Sequence, residues 1–304
     1  MNTIRLGADG PEVSAIGVGC WAWGDEPYWS SGQRYSSADV AAAYQTSLNA
    51  GLNFFDTAEL YALGRSERVL GQLAAGNSQV YIASKFFPYP WRISIAQFRE
   101  ALRRSVERLG SRPIQLYQIH WPFPPRRVEY WMDAMAEAVQ AGQILQIGVS
   151  NYSPQQMERA QAALEKRGLR LASNQVRYHL ADRKVEKNGL LQLCKDMGVT
   201  LIAYSPIAQG LLTGKYTLEN PPPFLRRISR ATLLRAQPLL AAMQRIGAAH
   251  GGKSQVQVAL NWCLSKGTLP IPGAKNAQQA AEFGGALGWR LSQEEIQTLE
   301  ALWP

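Results

Sequence analysis

The chain has 304 residues, of which 46% are hydrophobic and 18% are charged, a balance typical of a globular protein with a sizeable core. Its net charge is +9, but the basic residues are spread among glutamates, as in FREALRRSVERLG (98–110), and form no Lys/Arg block, so we expect no nucleic-acid partner. No uncharged apolar run reaches 18 residues, so we expect no membrane association.

The beginning of the chain and its cysteines bear on the compartment. The start, MNTIRLGADG, has neither the apolar stretch of a signal peptide nor the character of a transit peptide. Cys20, Cys194 and Cys263 form no CxxC pair and no even disulfide framework. We interpret this as a cytoplasmic protein, a monomer or small homo-oligomer. His179 and His250 have no metal-ligand spacing with acidic or cysteine partners, so no metal site is predicted.

Short β-rich runs recur along the chain at fairly even intervals, and most intervals between them have a helical pattern. Ser37, Ser94 and the pair Ser153-Pro154 are predicted to begin three of these helices. This alternation indicates a parallel sheet built from βαβ units. The predicted strands are 15–19, 53–57, 80–85, 114–120, 144–150, 172–176, 199–205 and 268–273.

Eight such strands favour a closed (β/α)₈ TIM barrel over an open sheet, because closure leaves no edge strand. Two further helical patterns exceed the repeat, at about 229–249 after strand seven and in SQEEIQTLEAL at the C-terminus. Neither is large enough to have a core of its own. We therefore predict one α/β domain over residues 1–304, with an extra helix after strand seven and an extra C-terminal helix.

Polar side chains stand at the ends of consecutive predicted strands, where the active site of such a barrel lies. Asp56 ends the second strand, Tyr61 follows on its loop, Lys85 ends the third and His120 ends the fourth. A lone buried charge is costly, but these groups satisfy one another if they meet. An ammonium lowers the pKa of a nearby phenol from about 10, which predicts Tyr61 as a general acid toward a carbonyl. Asp56 would hold Lys85, and His120 would orient the substrate oxygen.

With these residues the chain resembles the aldo-keto reductase family along nearly its whole length, most closely the plastid and cyanobacterial branch. The resemblance implies reduction of aldehydes and ketones with NADPH and places the family's tetrad on Asp56, Tyr61, Lys85 and His120. The matching motifs are, in the family's order, FFDTAELYALGRSE, ASKF, LYQIHWP, IGVSNYSPQQ, NQVRY, IAYSPIAQGLLTGKY and IPGAKNAQQAAEF.

The resemblance also implies an NADPH site across the barrel mouth. Ser150, Asn151 and Gln175 would hold the nicotinamide amide, with Tyr204 flat against the ring. Lys275 and Asn276 would meet the 2′-phosphate, with Gln279 and Glu282 beside the adenosine. Phe283 departs from the asparagine of many members, which puts the adenine contacts in doubt. Residues implied along the diphosphate and the rest of the cofactor are Ser205, Pro206, Ile207, Gln209, Gly210, Leu211, Lys215, Ile271, Gly273 and Trp21.

The residues leave more than one function open. The first hypothesis is an NADPH-dependent reductase of a small carbonyl substrate, and the aromatic and proline-rich loops favour an apolar or aromatic aldehyde. Arg126 or Arg127 would then meet any anionic group on it. The alternative is an NADPH-binding redox sensor or regulatory subunit with vestigial turnover. A lyase or hydrolase on the same barrel would leave the nicotinamide motifs unexplained.

Overall fold

The computed structural model describes residues 2–25, 32, 34–226 and 228–303. It begins with an antiparallel hairpin, β1 (Thr3–Arg5) and β2 (Glu12–Ser14), which the sequence analysis did not predict. Leu6 and Val13 of the hairpin join the apolar cluster inside the barrel. Thr200, at the start of one barrel strand, accepts from the Gly7 amide at 2.8 Å. The hairpin therefore lies across the N-terminal end of the barrel.

In the described residues, eight parallel strands follow one another around a single sheet. Hydrogen bonds from Gly17 N to Pro270 O (3.0 Å) and from Gly19 N to Pro272 O (2.9 Å) join the first strand to the last. This confirms the predicted TIM barrel. The strands are β3 (Val18–Gly19), β4 (Phe54–Asp56), β5 (Tyr81–Phe86), β6 (Ile114–Ile119), β7 (Ile144–Ser150), β8 (Leu171–Arg177), β9 (Thr200–Tyr204) and β10 (Leu269–Ile271).

Helices occupy the intervals between strands. Ser94 and Ser153 cap their helices as predicted, but the first helix, α1 (Ser37–Asn49), is capped by Ser36, not Ser37, in a reciprocal pair with Asp39. The two predicted extra helices are α8 (Arg230–Ala249) and α11 (Gln293–Ala301). The helices are α1 (Ser37–Asn49), α2 (Arg65–Leu73), α3 (Ile95–Arg108), α4 (Val128–Gln140), α5 (Pro154–Glu165), α6 (Lys184–Lys187), α7 (Leu190–Asp196), α8 (Arg230–Ala249), α9 (Gln255–Ser265), α10 (Ala277–Gly284) and α11 (Gln293–Ala301).

The alternation of side chains along the strands explains why β4 ends on a charge. Phe54 belongs to the cluster inside the barrel, whereas Phe55 belongs to the larger core between the strands and the helices. Asp56 has the same parity as Phe54 and so also points inward. The same succession of an inward apolar residue and an inward polar one recurs in Ala83 and Lys85. The barrel interior is therefore polar at the C-terminal ends of the strands and apolar toward their N-terminal ends.

None of the helices in the described part of the chain has both the length and the apolar character needed to cross a membrane.

Candidate active site

The C-terminal end of the barrel opens into a cavity of about 510 Å³. Asp56, Tyr61 and His120 line it, together with residues at or just beyond the ends of β3, β4, β6, β7, β8, β9 and β10. In a TIM barrel this is the end at which substrates and cofactors bind. Three members of the predicted tetrad therefore line the cavity in the place where a reaction would occur, and the fourth, Lys85, is fully buried beside them.

Lys85 is the centre of the buried part of the site. Its ammonium donates to Asp56 Oδ1 at 2.5 Å, to the Thr57 carbonyl oxygen at 2.8 Å and to Tyr61 Oη at 3.3 Å. The residue is 0% exposed, and burial lowers its pKa. Asp56 and Tyr61 together raise the pKa by more than burial lowers it, so the pKa lies above its ordinary value. Lys85 is therefore charged at neutral pH, with all three N–H groups used.

The loop after β4 turns sharply immediately after Tyr61, whose phenol reaches Lys85. Ala62, Leu63 and Gly64 all have positive φ angles, of 47°, 55° and 83°, which bring the chain back toward α2. Burial raises the pKa of Tyr61, and this effect outweighs the lowering by Lys85. The prediction that Lys85 gives the phenol a lowered pKa is therefore wrong for the net shift. The phenol is therefore protonated at neutral pH.

His120 stands beside the phenol. Its ring lies edge-on to Tyr61 at 5.8 Å between centroids and edge-on to Phe87 at 5.5 Å. Burial lowers the pKa of His120 well below its ordinary value, and the charge of Lys85 lowers it further. The imidazole is therefore neutral, and Nδ1 is buried with no hydrogen-bond partner among the described residues. Trp21 stacks on the Tyr61 ring at 6.0 Å.

The residues predicted for the nicotinamide amide lie together on β7, β8 and β9. Asn151 has a positive φ of 61°, donates to the His120 carbonyl oxygen at 3.1 Å and accepts from Tyr204 Oη at 3.0 Å. Ser150 Oγ donates to the Gln175 carbonyl oxygen at 2.8 Å. The amide and hydroxyl groups that would meet a carboxamide are thus beside the tetrad and are held in place by one another.

The other end of the cavity is basic. Lys215, Arg226 and Lys275 line it. Burial lowers the pKa of Lys275 to about 8, and the positive charges of Arg226, Lys215 and Arg34 contribute to the lowering. A cluster of like charges is relieved by an anion. These side chains therefore fit the phosphates of a nucleotide cofactor.

Comparison with known proteins identifies the family to which this chain belongs. The model of the aldo/keto reductase family matches residues 15–304. The chain is an aldo-keto reductase. It is 38% identical over 305 residues to the chloroplastic pyridoxal reductase of Arabidopsis thaliana, covering 95% of this chain and 82% of that protein. It is 30% identical over 294 residues to a methylglyoxal reductase of Escherichia coli, covering 96% and 92%.

Solved structures agree with this assignment. An aldo/keto reductase from Klebsiella pneumoniae, solved with NADP and acetate, superposes with a TM-score of 0.80 at 28% identity, covering 100% of this chain and 95% of that one. The NADPH complex of an aldo-keto reductase from the same organism gives the same values. This aldo-keto reductase is an NADPH-dependent oxidoreductase that acts on carbonyl groups.

Most residues predicted for the cofactor of this aldo-keto reductase line the cavity, with three exceptions. Leu211 is buried in the apolar core, and Glu282 accepts a hydrogen bond from Ser254 Oγ at 2.6 Å. Asn276 caps α10, where its side chain accepts from the Gln279 amide at 3.0 Å. Those that line it are Trp21, Ser150, Asn151, Gln175, Tyr204, Ser205, Pro206, Ile207, Gln209, Gly210, Lys215, Ile271, Gly273, Lys275 and Gln279.

The structure of this aldo-keto reductase also shows where Phe283, Arg126 and Arg127 lie. Phe283 is 2% exposed and packs in the core, away from the cavity. Arg126 donates to the Ile93 carbonyl oxygen at 2.7 Å, and neither it nor Arg127 is among the cavity-lining residues.

Two polar residues that the sequence reasoning missed lie with the site of this aldo-keto reductase. Arg177 lines the cavity two residues beyond Gln175 on β8. Gln118 lies on β6 two residues before His120, is 0% exposed and donates to Asp56 Oδ2 at 3.3 Å. Both share the inward parity of a predicted site residue on the same strand, and that parity was the available signal.

Proposed function

We propose that this aldo-keto reductase reduces small aromatic aldehydes, with Tyr61 as the proton donor. The observation that supports this most strongly is the hydrogen bond of 3.3 Å between Oη of Tyr61, which lines the cavity, and Nζ of the buried Lys85. NADPH, when bound, supplies the hydride that reaches the carbonyl carbon. The phenol is protonated at neutral pH and gives its proton to the carbonyl oxygen as negative charge develops there.

The other three members of the tetrad support this proton transfer. The Lys85 ammonium, 3.3 Å from the phenol oxygen, stabilises the phenolate that forms when the proton leaves. Asp56 compensates the charge of Lys85, which has no access to solvent. His120 is neutral and donates an N–H to the carbonyl oxygen, which orients the substrate toward Tyr61.

In this proposal the cofactor lies along the cavity between the tetrad and the basic end. Ser150, Asn151 and Gln175 would hold its carboxamide, and the Tyr204 ring would pack against the nicotinamide. Residues 205–210 would hold the diphosphate, and among them Ser205, Ala208, Gln209 and Gly210 have positive φ angles. Lys215 and Lys275 would bind phosphate groups, because burial and the neighbouring positive charges both disfavour the ammonium of Lys275 and a phosphate stabilises it.

The substrate end of the cavity supports an aromatic substrate. Trp21, Leu60 and Trp121 line it beside Tyr61 and His120. Trp121 stacks on Phe123 at 5.4 Å with only 6° between the rings, which gives a flat apolar wall. A similar protein of Arabidopsis thaliana is named a pyridoxal reductase, and pyridoxal is a flat aromatic aldehyde. We therefore propose pyridoxal-like aldehydes as the substrate class.

A comparison of aldehydes tests this proposal. NADPH oxidation is followed with pyridoxal, 4-nitrobenzaldehyde and methylglyoxal, and kcat/KM is determined for each. We expect both aromatic aldehydes to exceed methylglyoxal. A preference for methylglyoxal would contradict the substrate class. Tight NADPH binding with no turnover of any aldehyde would contradict the proposed activity and favour a sensor or regulatory subunit.

We also propose that the barrel and its extra helices form one domain. Arg235 of α8 lies over the Trp303 ring beyond α11 at 4.3 Å. Arg183, before α6, donates to the carbonyl oxygens of Glu300 and Trp303 at 3.0 and 2.7 Å. These contacts hold the C-terminal helix against the rest of the barrel. Urea unfolding followed by tryptophan fluorescence and by circular dichroism should give coincident transitions, whereas a separate early transition would contradict a single domain.

A further inference from the structure

One buried amide beside the tetrad has no part in the reaction proposed above. Gln118 is 0% exposed and pairs with Lys85 across β5 and β6. Its Nε2 donates to Asp56 Oδ2 at 3.3 Å, and its Oε1 accepts from Gln175 Nε2 at 3.4 Å. Gln118 therefore joins the carboxylate of the tetrad to the glutamine proposed to bind the nicotinamide.

The two oxygens of Asp56 have different partners. Oδ1 accepts from Lys85, whereas Oδ2 accepts from two amides, Gln175 at 2.7 Å and Gln118 at 3.3 Å. The side chain of Gln175 has two alternative partners, because in the proposed function it also binds the carboxamide of the cofactor. When it turns there, Gln118 is the amide that still satisfies Oδ2. A buried carboxylate oxygen left without a donor is unfavourable.

The neighbouring strand leaves room for this amide. A Cβ at Gly148 on β7 would lie 2.8 Å from Gln118 Cγ and 2.4 Å from Ser173 Oγ, which is closer than real contacts allow. Because residue 148 is glycine, the Gln118 side chain can extend across the barrel to Asp56. The backbone of β7 is thus matched to the position of Gln118.

We infer that Gln118 is a positioning residue that holds the Asp56 carboxylate against Lys85 while Gln175 binds the amide group of the cofactor. The inference rests on the proposed function. It concerns a residue that acts through Asp56 and does not touch the substrate. Its effect on catalysis is carried by the charge of Asp56, which acts on the phenol of Tyr61.

The variant Gln118→Met tests this inference, because methionine has a similar shape and no donor. Asp56 raises the pKa of Tyr61, and a carboxylate with one donor fewer raises it more strongly. We expect the midpoint of the alkaline rise in alcohol oxidation to move up by about half a pH unit. We expect kcat for reduction to fall about tenfold, with KM and the dissociation constant for NADPH changed less than about twofold.

The titration of the Tyr61 phenol can also be measured directly by NMR in the cofactor-free protein. Tyr61 is faced by Lys85 of β5, Asp56 of β4, Cys20 after β3 and His120 after β6. With ¹³C-labelled tyrosine, the Tyr61 signal is assigned by its loss in Tyr61→Phe and followed from pH 8 upward. In Gln118→Met we expect this signal to titrate at higher pH than in the wild type.

A matched control uses the same substitution at the other end of the barrel. Gln146 donates to the Leu6 carbonyl oxygen at 3.3 Å and accepts from Tyr81 Oη at 2.7 Å, remote from the tetrad. Gln146→Met should lower the melting temperature without moving either pH profile. If Gln118→Met does not fold, Gln118→Asn, which withdraws the amide by one carbon, replaces it with the same expectation.

An unchanged Tyr61 titration in the folded Gln118 variant would overturn the inference, and so would an equal shift in the Gln146 control. Failure of the proposed function is recognised separately. If Tyr61→Phe retains its activity while the Gln118 variant still shifts the phenol signal, then Tyr61 is not the proton donor. In that case the positioning of Asp56 by Gln118 stands.

Discussion

The binding of NADPH should become weaker above pH 8 because of one lysine. Burial and the charges of Arg226, Lys215 and Arg34 lower the pKa of Lys275 to about 8 in the cofactor-free protein. The negative charge of a bound phosphate favours the protonated lysine, which offsets the burial and the like charges and returns the pKa toward about 10.4. Binding therefore takes up a proton at high pH. The affinity is greatest below the lower pKa and falls as the pH rises through it.

The size of this effect follows from the two pKa values. Between pH 7.5 and 9.5 the cofactor-free protein loses most of the Lys275 charge, whereas the complex retains it. The dissociation constant for NADPH should therefore rise about 20-fold over this range, the factor obtained with pKa values of about 8 and about 10.4. The 2′-phosphate is already fully ionised at pH 7.5, so its own titration adds nothing.

Quenching of tryptophan fluorescence by NADPH measures this dependence at pH 7.5, 8.5 and 9.5. Lys275→Arg retains its charge throughout the range, so its dissociation constant should be constant with pH. Lys275→Met should bind more weakly at pH 7.5 and also show no dependence. A dissociation constant of the wild type that stays constant from pH 7.5 to 9.5 would refute the reasoning, as would the same rise in Lys275→Met.

Three further predictions follow from the buried charges. Lys85→Met should lower kcat at least about 100-fold, because the phenolate loses its counter-charge, and retained turnover would contradict this. Alcohol oxidation should increase with pH up to at least pH 9, because the pKa of Tyr61 is raised and oxidation requires the phenolate; a plateau below pH 8 would contradict it. Arg108→Met should lower the free energy of unfolding by about 3–5 kcal/mol, because it removes the positive charge 2.6 Å from the fully buried Glu67 and leaves the Ser84 hydroxyl as a neutral donor. Urea unfolding measures that loss, and a change below 1 kcal/mol would argue against it.

The barrel was predictable because its signal is repeated along the chain. Most βα units have a short apolar strand followed by a helical pattern, and several of the helices begin at a capping serine. An error in the prediction of one unit does not affect the next. The hairpin of residues 3–14 escaped prediction because its strands have three residues each. It is stabilised by long-range contacts, such as that of Gly7 with Thr200, which a local pattern does not contain.

The site was predictable in its residue types and less so in its energetics. The residues of the tetrad stand at strand ends, so the sequence was sufficient to bring Asp56, Lys85 and His120 to one mouth. The net pKa shift of Tyr61 depends on how deeply the ring is buried, which the spacing of residues does not determine. Glu282 shows the limit of the family resemblance, since its hydrogen bond to Ser254 depends on how α9 and α10 pack together.

The central claim is that Tyr61 gives the proton to the substrate oxygen. The rate of NADPH oxidation in a single turnover with 4-nitrobenzaldehyde, compared between the wild type and Tyr61→Phe, tests it most directly. We expect the rate to fall at least about 100-fold, while the dissociation constant for NADPH changes less than about twofold. A variant that turns over at a rate close to that of the wild type would contradict the account.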